Sequence, residues 1–282
     1  MEETPERNSH LTSPDMFAFF NHYFLLFFSL SCILSSLFIQ ELLIMLGQFR
    51  LAIGVAPALG ILLPVFLLAR RFPSGLMKQF HITRPRVRIS IYVVLATLAM
   101  VVIVSHLYVI SQHFMPPPET YIEALERYRP TSVAAAVVTF LGLCLVVPVA
   151  EEIVFRGMIQ EIFSRNMRGS FAVVLAGVFF GVIHLNPQLL AGLVCFGIFL
   201  GILFHVTSSL SYSILSHGVL NAVAFLQLAL LSEESLETAP FYVREWWMLP
   251  VAVVAVGLLL KEIKTGASIS LETPVQTSNQ QQ

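Results

Sequence analysis

The sequence predicts an all-α, polytopic membrane helix bundle of about eight transmembrane helices around a polar intramembrane cavity. Of its 282 residues, 56% are hydrophobic and only 12% charged, with mean hydropathy +0.80; a soluble domain carries roughly twice that charged fraction. Eight apolar stretches, about 17–40, 51–69, 89–111, 133–155, 170–185, 189–205, 210–231 and 246–262, approach the ~20 residues a helix needs to cross hydrocarbon. The cavity follows from a third observation. Glu151, Glu152, Arg156, His184, His217 and Asn221 lie inside or at the ends of those stretches, where ionisable groups are costly and mark function.

In chain order, residues 1–16 form a polar, acidic tail with Glu2, Glu3, Glu6 and Asp15. The apolar run after it has no small-residue cleavage site and reads as a retained span, not a signal peptide. The second stretch holds Pro57, Gly60 and Pro64, tolerated where neighbouring helices re-satisfy the freed backbone groups. Segment 112–132, with Pro116-Pro117-Pro118, separates the third stretch from the fourth, and its second half reads as a short surface helix. Trp246 and Trp247 open the last stretch, at the level of a membrane interface,. The bundle is thus expected over 17–262, with its chemistry in 133–227, and a disordered tail rich in Ser, Thr and Gln over 263–282,.

With both termini cytoplasmic, eleven Lys and Arg fall in inside segments; the outside loops hold four, Arg50, Arg127, Arg129 and Arg244. That bias supports an integral, multi-pass protein with N-terminus and C-terminus inside. The net charge of -1 gives no electrostatic case for nucleic acid,. Cys32, Cys144 and Cys195 form no Cys-x-x-Cys pair and read as small packing hydrophobes,. No internal repeat supports an inverted-repeat transporter.

Three short motifs carry the chemistry. In Glu151-Glu152-x-x-x-Arg156, neighbouring helical residues point about 100° apart, so the two carboxylates take different roles. Glu152 and Arg156 share a face and can pair. Glu151 is left to turn inward as a general base, a task suited to a desolvated carboxylate. In Phe180-x-x-x-His184, Gly181 permits close helix approach and Asn186-Pro187 ends the helix,. In His217-x-x-x-Asn221 two polar side chains project from one apolar stripe, able to donate to a developing oxyanion or to act as glue between helices. His10, His22, His81, His106, His113 and His205 have no comparable partner and read as structural.

These motifs, in this order on three membrane helices, resemble the CPBP intramembrane endopeptidases. That family includes type II CAAX prenyl endopeptidases of the Ras-converting enzyme type and bacteriocin-processing and immunity proteins. The resemblance covers about 133–227. It implies that Glu151 activates water held with His184, that His217 and Asn221 form an oxyanion hole, and that Glu152 and Arg156 support the site. Phe180 matches the family's aromatic and reads as packing. The family has been described both as metalloproteases and as metal-free glutamate proteases. The missing His-Glu-x-x-His pattern favours the second, with no cofactor required; a zinc site would have to use Glu151, His184 and His217 as ligands. The expected activity is hydrolysis of a peptide bond near the C-terminal or membrane-proximal part of a substrate, reached from the cytoplasmic side. The expected partners are the lipid bilayer and a peptide or protein in or at the membrane, with prenylated CAAX proteins among the candidates. A non-catalytic immunity or binding protein of the same fold and a proton-coupled transporter are the rival readings.

Overall fold

A computed structural model of the chain describes residues 16–72, 75–230 and 245–272. All regular structure among them is helical. Eight long helices form the bundle: α1 (His22–Met45), α2 (Phe49–Ala69), α3 (Val87–Phe114), α4 (Val133–Asn166), α5 (Gly169–Ile183), α6 (Leu190–Thr207), α7 (Leu210–Leu230) and α8 (Met248–Glu272). Six of them, α1 to α4 with α6 and α7, are long and apolar enough to cross a membrane. α5 is a shorter apolar helix of 15 residues, and α8 carries Lys261, Glu262 and Lys264 in its second half. The eight apolar stretches are therefore all helical, and the chain is an integral multi-pass membrane protein. A helix also forms at Glu119–Tyr128, between α3 and α4.

Three boundaries differ from the sequence reading, each for a packing reason. α4 does not end at 155. Its next turns bury Met158, Ile159 and Ile162, and only then does the Glu161–Arg165 pair, at 2.8 Å, mark a surface end. α8 runs on to Glu272 because Ile263 and Ala267 are buried, so residues 263–272 are helix where a disordered tail was expected. Met16, assigned to the N-terminal tail, is fully buried, and its N–H donates to Gln79 Oε1 at 3.1 Å. The remaining tail residues, 1–15 and 273–282, lie outside the described residues.

α2 and α4 are interrupted by π turns, at Ala58–Leu62 in α2 and at Gly142–Val146 and Phe155–Gln160 in α4. Proline explains the first two. Pro64 and Pro148 each follow a π turn by two residues. Each lacks the N–H owed to the carbonyl four residues back, and its ring crowds that carbonyl, so the preceding turn widens. Small residues then let other helices in. A Cβ on Gly142 would stand 3.1 Å from the Gly54 backbone N, and one on Gly60 only 2.4 Å from Ser36 Cα.

The widened turn sets which residues of α4 share a face. Thr139 and Glu151 are twelve residues apart, which on an unbroken helix places them about 120° apart; absorbing one residue in the Gly142–Val146 turn reduces this to about 20°. The bundle core divides into two buried clusters. One is built largely on α1, α2 and α4 and includes Phe180; the other lies on α3, α6, α7 and α8 and includes Phe196.

Candidate active site

Glu151 and Glu152 sit between the second and third π turns, in the α-helical stretch Val147–Val154. Their side chains diverge. Glu152 is completely buried, and its Oε1 accepts from Arg156 Nη1 at 2.7 Å and from His217 Nδ1 at 2.9 Å. Arg156, also completely buried, donates through Nη2 to Gly197 O on α6 at 2.9 Å and lies 4.5 Å from the centre of the Phe180 ring. The cation is thus held by a carboxylate, a carbonyl and a ring face, three groups that can each replace hydration.

Glu151 points the other way, towards a cavity of about 590 Å³ that it lines together with His184. Its side chain keeps 21% exposure, and its Oε2 has no hydrogen-bond partner. His217 Nε2 lies 3.8 Å from that oxygen and His184 Nε2 4.0 Å from it. The other ring nitrogens fix both tautomers. His184 Nδ1 is 2.7 Å from Phe180 O, a carbonyl that can only accept, so this nitrogen carries the proton,. His217 Nδ1 faces the Glu152 oxygen that also accepts from Arg156, so it too donates,. In the neutral rings, both Nε2 lone pairs therefore converge on Glu151. Phe180 and Phe196 stand edge-on to His217 at 5.8 and 5.9 Å, joining the two core clusters around its ring.

Asn221, one turn beyond His217 on α7, donates through Nδ2 to Leu143 O at 2.8 Å. That carbonyl belongs to the Gly142–Val146 π turn. The second hydrogen on Nδ2 has no partner assigned to it. Contacts of 4.0 Å or less thus link Glu151, Glu152, Arg156, His184 and His217, whereas Asn221 is tied to the backbone of α4 and to none of those five side chains.

The long α4 explains how they meet at one depth. Fifteen residues separate Glu151 from Asn166 at the end of α4, and fifteen separate Gly169 at the start of α5 from His184. The carboxylate and the imidazole therefore stand level on the two arms of a helical hairpin.

Sequence reasoning did not single out Gln160. It is buried and donates through Nε2 to Gly201 O at 3.0 Å, repeating one turn on the Arg156 bond to Gly197. The matching four-residue steps, Arg156 to Gln160 and Gly197 to Gly201, were the signal.

The cavity extends from Glu151 along apolar walls of α1, α2 and α4, including Ile33, Leu37, Ile53 and Val147, towards Gln40, Glu41, Thr139 and Tyr128. Glu41 is near the C-terminal end of α1, and Tyr128 closes the helix between α3 and α4. That is the bundle end opposite the one holding Arg70, Arg71, Lys78 and Arg84.

Three zinc ligands bonded at ~2.0–2.2 Å with tetrahedral angles stand about 3.4 Å apart, several tenths of an ångström less than the 3.8 and 4.0 Å found here. Among the described residues no group of three His, Cys, Asp or Glu side chains is placed to hold a metal.

Residues 133–223 match the family model described as Type II CAAX prenyl endopeptidase Rce1-like. That match bears out the resemblance carried by the three motifs. The matched stretch runs from the start of α4 through Asn221 of α7, and so contains Glu151, His184 and His217. A CAAX-protease-like core supports a protease, hence a hydrolase, acting on a membrane-associated protein or peptide. No curated protein and no solved structure matches the chain.

Proposed function

We propose that this protein is an intramembrane endopeptidase that hydrolyses a peptide bond with water activated by Glu151, without a metal. One observation carries the reading: a cavity-facing carboxylate with an unpartnered oxygen stands within 4.0 Å of two imidazole nitrogens whose lone pairs face it. A water molecule donates to Glu151 and to His184 Nε2, each accepting one O–H. Glu151 takes one proton as the water oxygen bonds to the scissile carbonyl carbon. That proton passes to His217 Nε2, and the imidazolium is stabilised through Nδ1 by Glu152. His217 then becomes a donor at Nε2, and with the second Nδ2 hydrogen of Asn221 it stabilises the oxyanion. Collapse of the tetrahedral adduct breaks the C–N bond, and His217 returns the proton to the leaving amine.

The bilayer and a peptide segment lying in or at it are the partners this reading requires. The apolar cavity walls suit such a segment, and prenylated CAAX proteins remain one substrate class among several. The test is comparative proteomics of membranes carrying the wild type or Glu151→Gln. New C-termini that depend on Glu151 support the proposal. Purified protein that cleaves in its wild-type form and equally well as Glu151→Gln overturns it, and loss of cleavage in a strong chelator overturns its metal-free part.

A further inference from the structure

The end of the cavity away from Glu151 carries polar groups that the hydrolysis above does not use. Thr139 is completely buried and lines the cavity, yet its Oγ1 has no hydrogen-bond partner. This is unusual in this chain. Thr97, Thr207 and Thr265 each donate to the carbonyl four residues back, at 2.8, 2.6 and 3.0 Å, the ordinary arrangement for a helical threonine. Glu41 lines the same end and forms no ion pair among the described residues. Burial, then the charge of Glu41, push the Tyr128 phenol above its ordinary value, so it stays a neutral donor close to that carboxylate. The nearby cations have partners of their own, Arg129 with Glu126 at 3.3 Å, Arg50 with Arg129 O at 2.8 Å and Arg127 over the Phe49 ring, and the Arg127 charge offsets only part of the effect of Glu41 on Tyr128. No Lys or Arg lines the cavity among the described residues.

Resting on the protease reading, we propose that Glu41 and Thr139 form a substrate subsite for a lysine or arginine side chain about five residues from the scissile bond. The spacing follows from α4. Thr139 and Glu151 share a face twelve residues apart, about 18 Å of helix, and an extended peptide covers about 3.3 Å per residue. A lining whose ionised side chains are carboxylates repels a free C-terminal carboxylate and attracts a cation. Apolar segments flanked by Lys or Arg, common where chains meet a membrane interface, have the chemistry this cavity fits.

The test uses full-length Glu151→Gln protein in detergent and fluorescent apolar peptides with Lys, Gln or Glu placed four to seven residues from the central bond. Tighter binding of the Lys peptide, by up to about fivefold over the Glu peptide, is expected at one of these positions. Adding Glu41→Lys reverses the order, and adding Thr139→Val weakens binding of all three. Equal affinities, or an order unchanged by Glu41→Lys, overturn the subsite. Cleavage of the same peptides by the wild type separates the two readings. Charge-selective binding without cleavage sinks the protease and keeps the subsite; cleavage blind to charge does the reverse.

Discussion

Arg156 and Glu152 pair at 2.7 Å with neither side chain reachable by solvent. Removing one partner of a buried pair strands the other charge, at a cost of roughly 3–5 kcal/mol. Arg156→Ala should lower the unfolding midpoint in detergent sharply and abolish cleavage. Arg156→Lys keeps a charge but loses the fork that spans Glu152 and Gly197, so it should fall between Ala and wild type. An unchanged midpoint in Arg156→Ala would mean that the pair does not stabilise the bundle.

Glu151→Gln should behave differently, because Glu151 makes no hydrogen bond at Oε2 and faces the cavity. Loss of a general base removes about 10²–10⁴-fold in rate or more, while the unfolding midpoint stays at the wild-type value. Glu152→Gln should lose both activity and stability. Thermal unfolding and single-turnover cleavage of the two variants, run side by side, distinguish the roles of these adjacent carboxylates.

Asn221 is an oxyanion donor in the proposed mechanism and also bonds Leu143 O in the fold, and two substitutions probe these roles. Asn221→Ala removes an oxyanion donor and should reduce kcat by about 10²–10³-fold with little change in KM. Asn221→Asp also sets a carboxylate oxygen against Leu143 O, now 2.8 Å from the amide nitrogen. It should therefore unfold at a lower temperature than Asn221→Ala. If Asn221→Ala unfolds at the wild-type temperature, the bond to Leu143 contributes nothing to α4.

Gly60 and Gly257 offer a packing contrast. A Cβ at Gly60 would meet Ser36 backbone at 2.4 Å, whereas nothing lies within 4 Å of one at Gly257. Gly60→Ala should destabilise by about 1–3 kcal/mol through overpacking. Gly257→Ala should be neutral or stabilising by up to about 1 kcal/mol, from helix propensity. Unfolding midpoints of both variants check the pair.

Much of this was legible from residue types. Runs of apolar residues mark α1 to α8, and the four-residue steps Glu152 to Arg156 and His217 to Asn221 anticipate side chains on one face. Three things were not legible. The end of α4 was misplaced because the apolar run stops at Phe155, whereas the helix continues with Arg156 buried against Glu152, Gly197 and Phe180. The bond from His217 to Glu152 joins residues 65 apart in the chain, which no local spacing can reveal. Thr139 passed unnoticed because an even 100° per residue turns it away from Glu151, and only the π turn at Gly142–Val146 brings it round.

That turn also sets how α4 tolerates changes in length. Deleting one residue within Gly142–Val146 lets the backbone heal into ordinary α-helix while Glu151 keeps its azimuth relative to the first half of α4, at the expense of the freed Leu143 carbonyl. A one-residue deletion among Val147, Pro148, Val149 and Ala150 has no slack to consume, and swings both acids by about 100°. Indels in this helix should therefore be accepted at the bulge and rejected a single turn away.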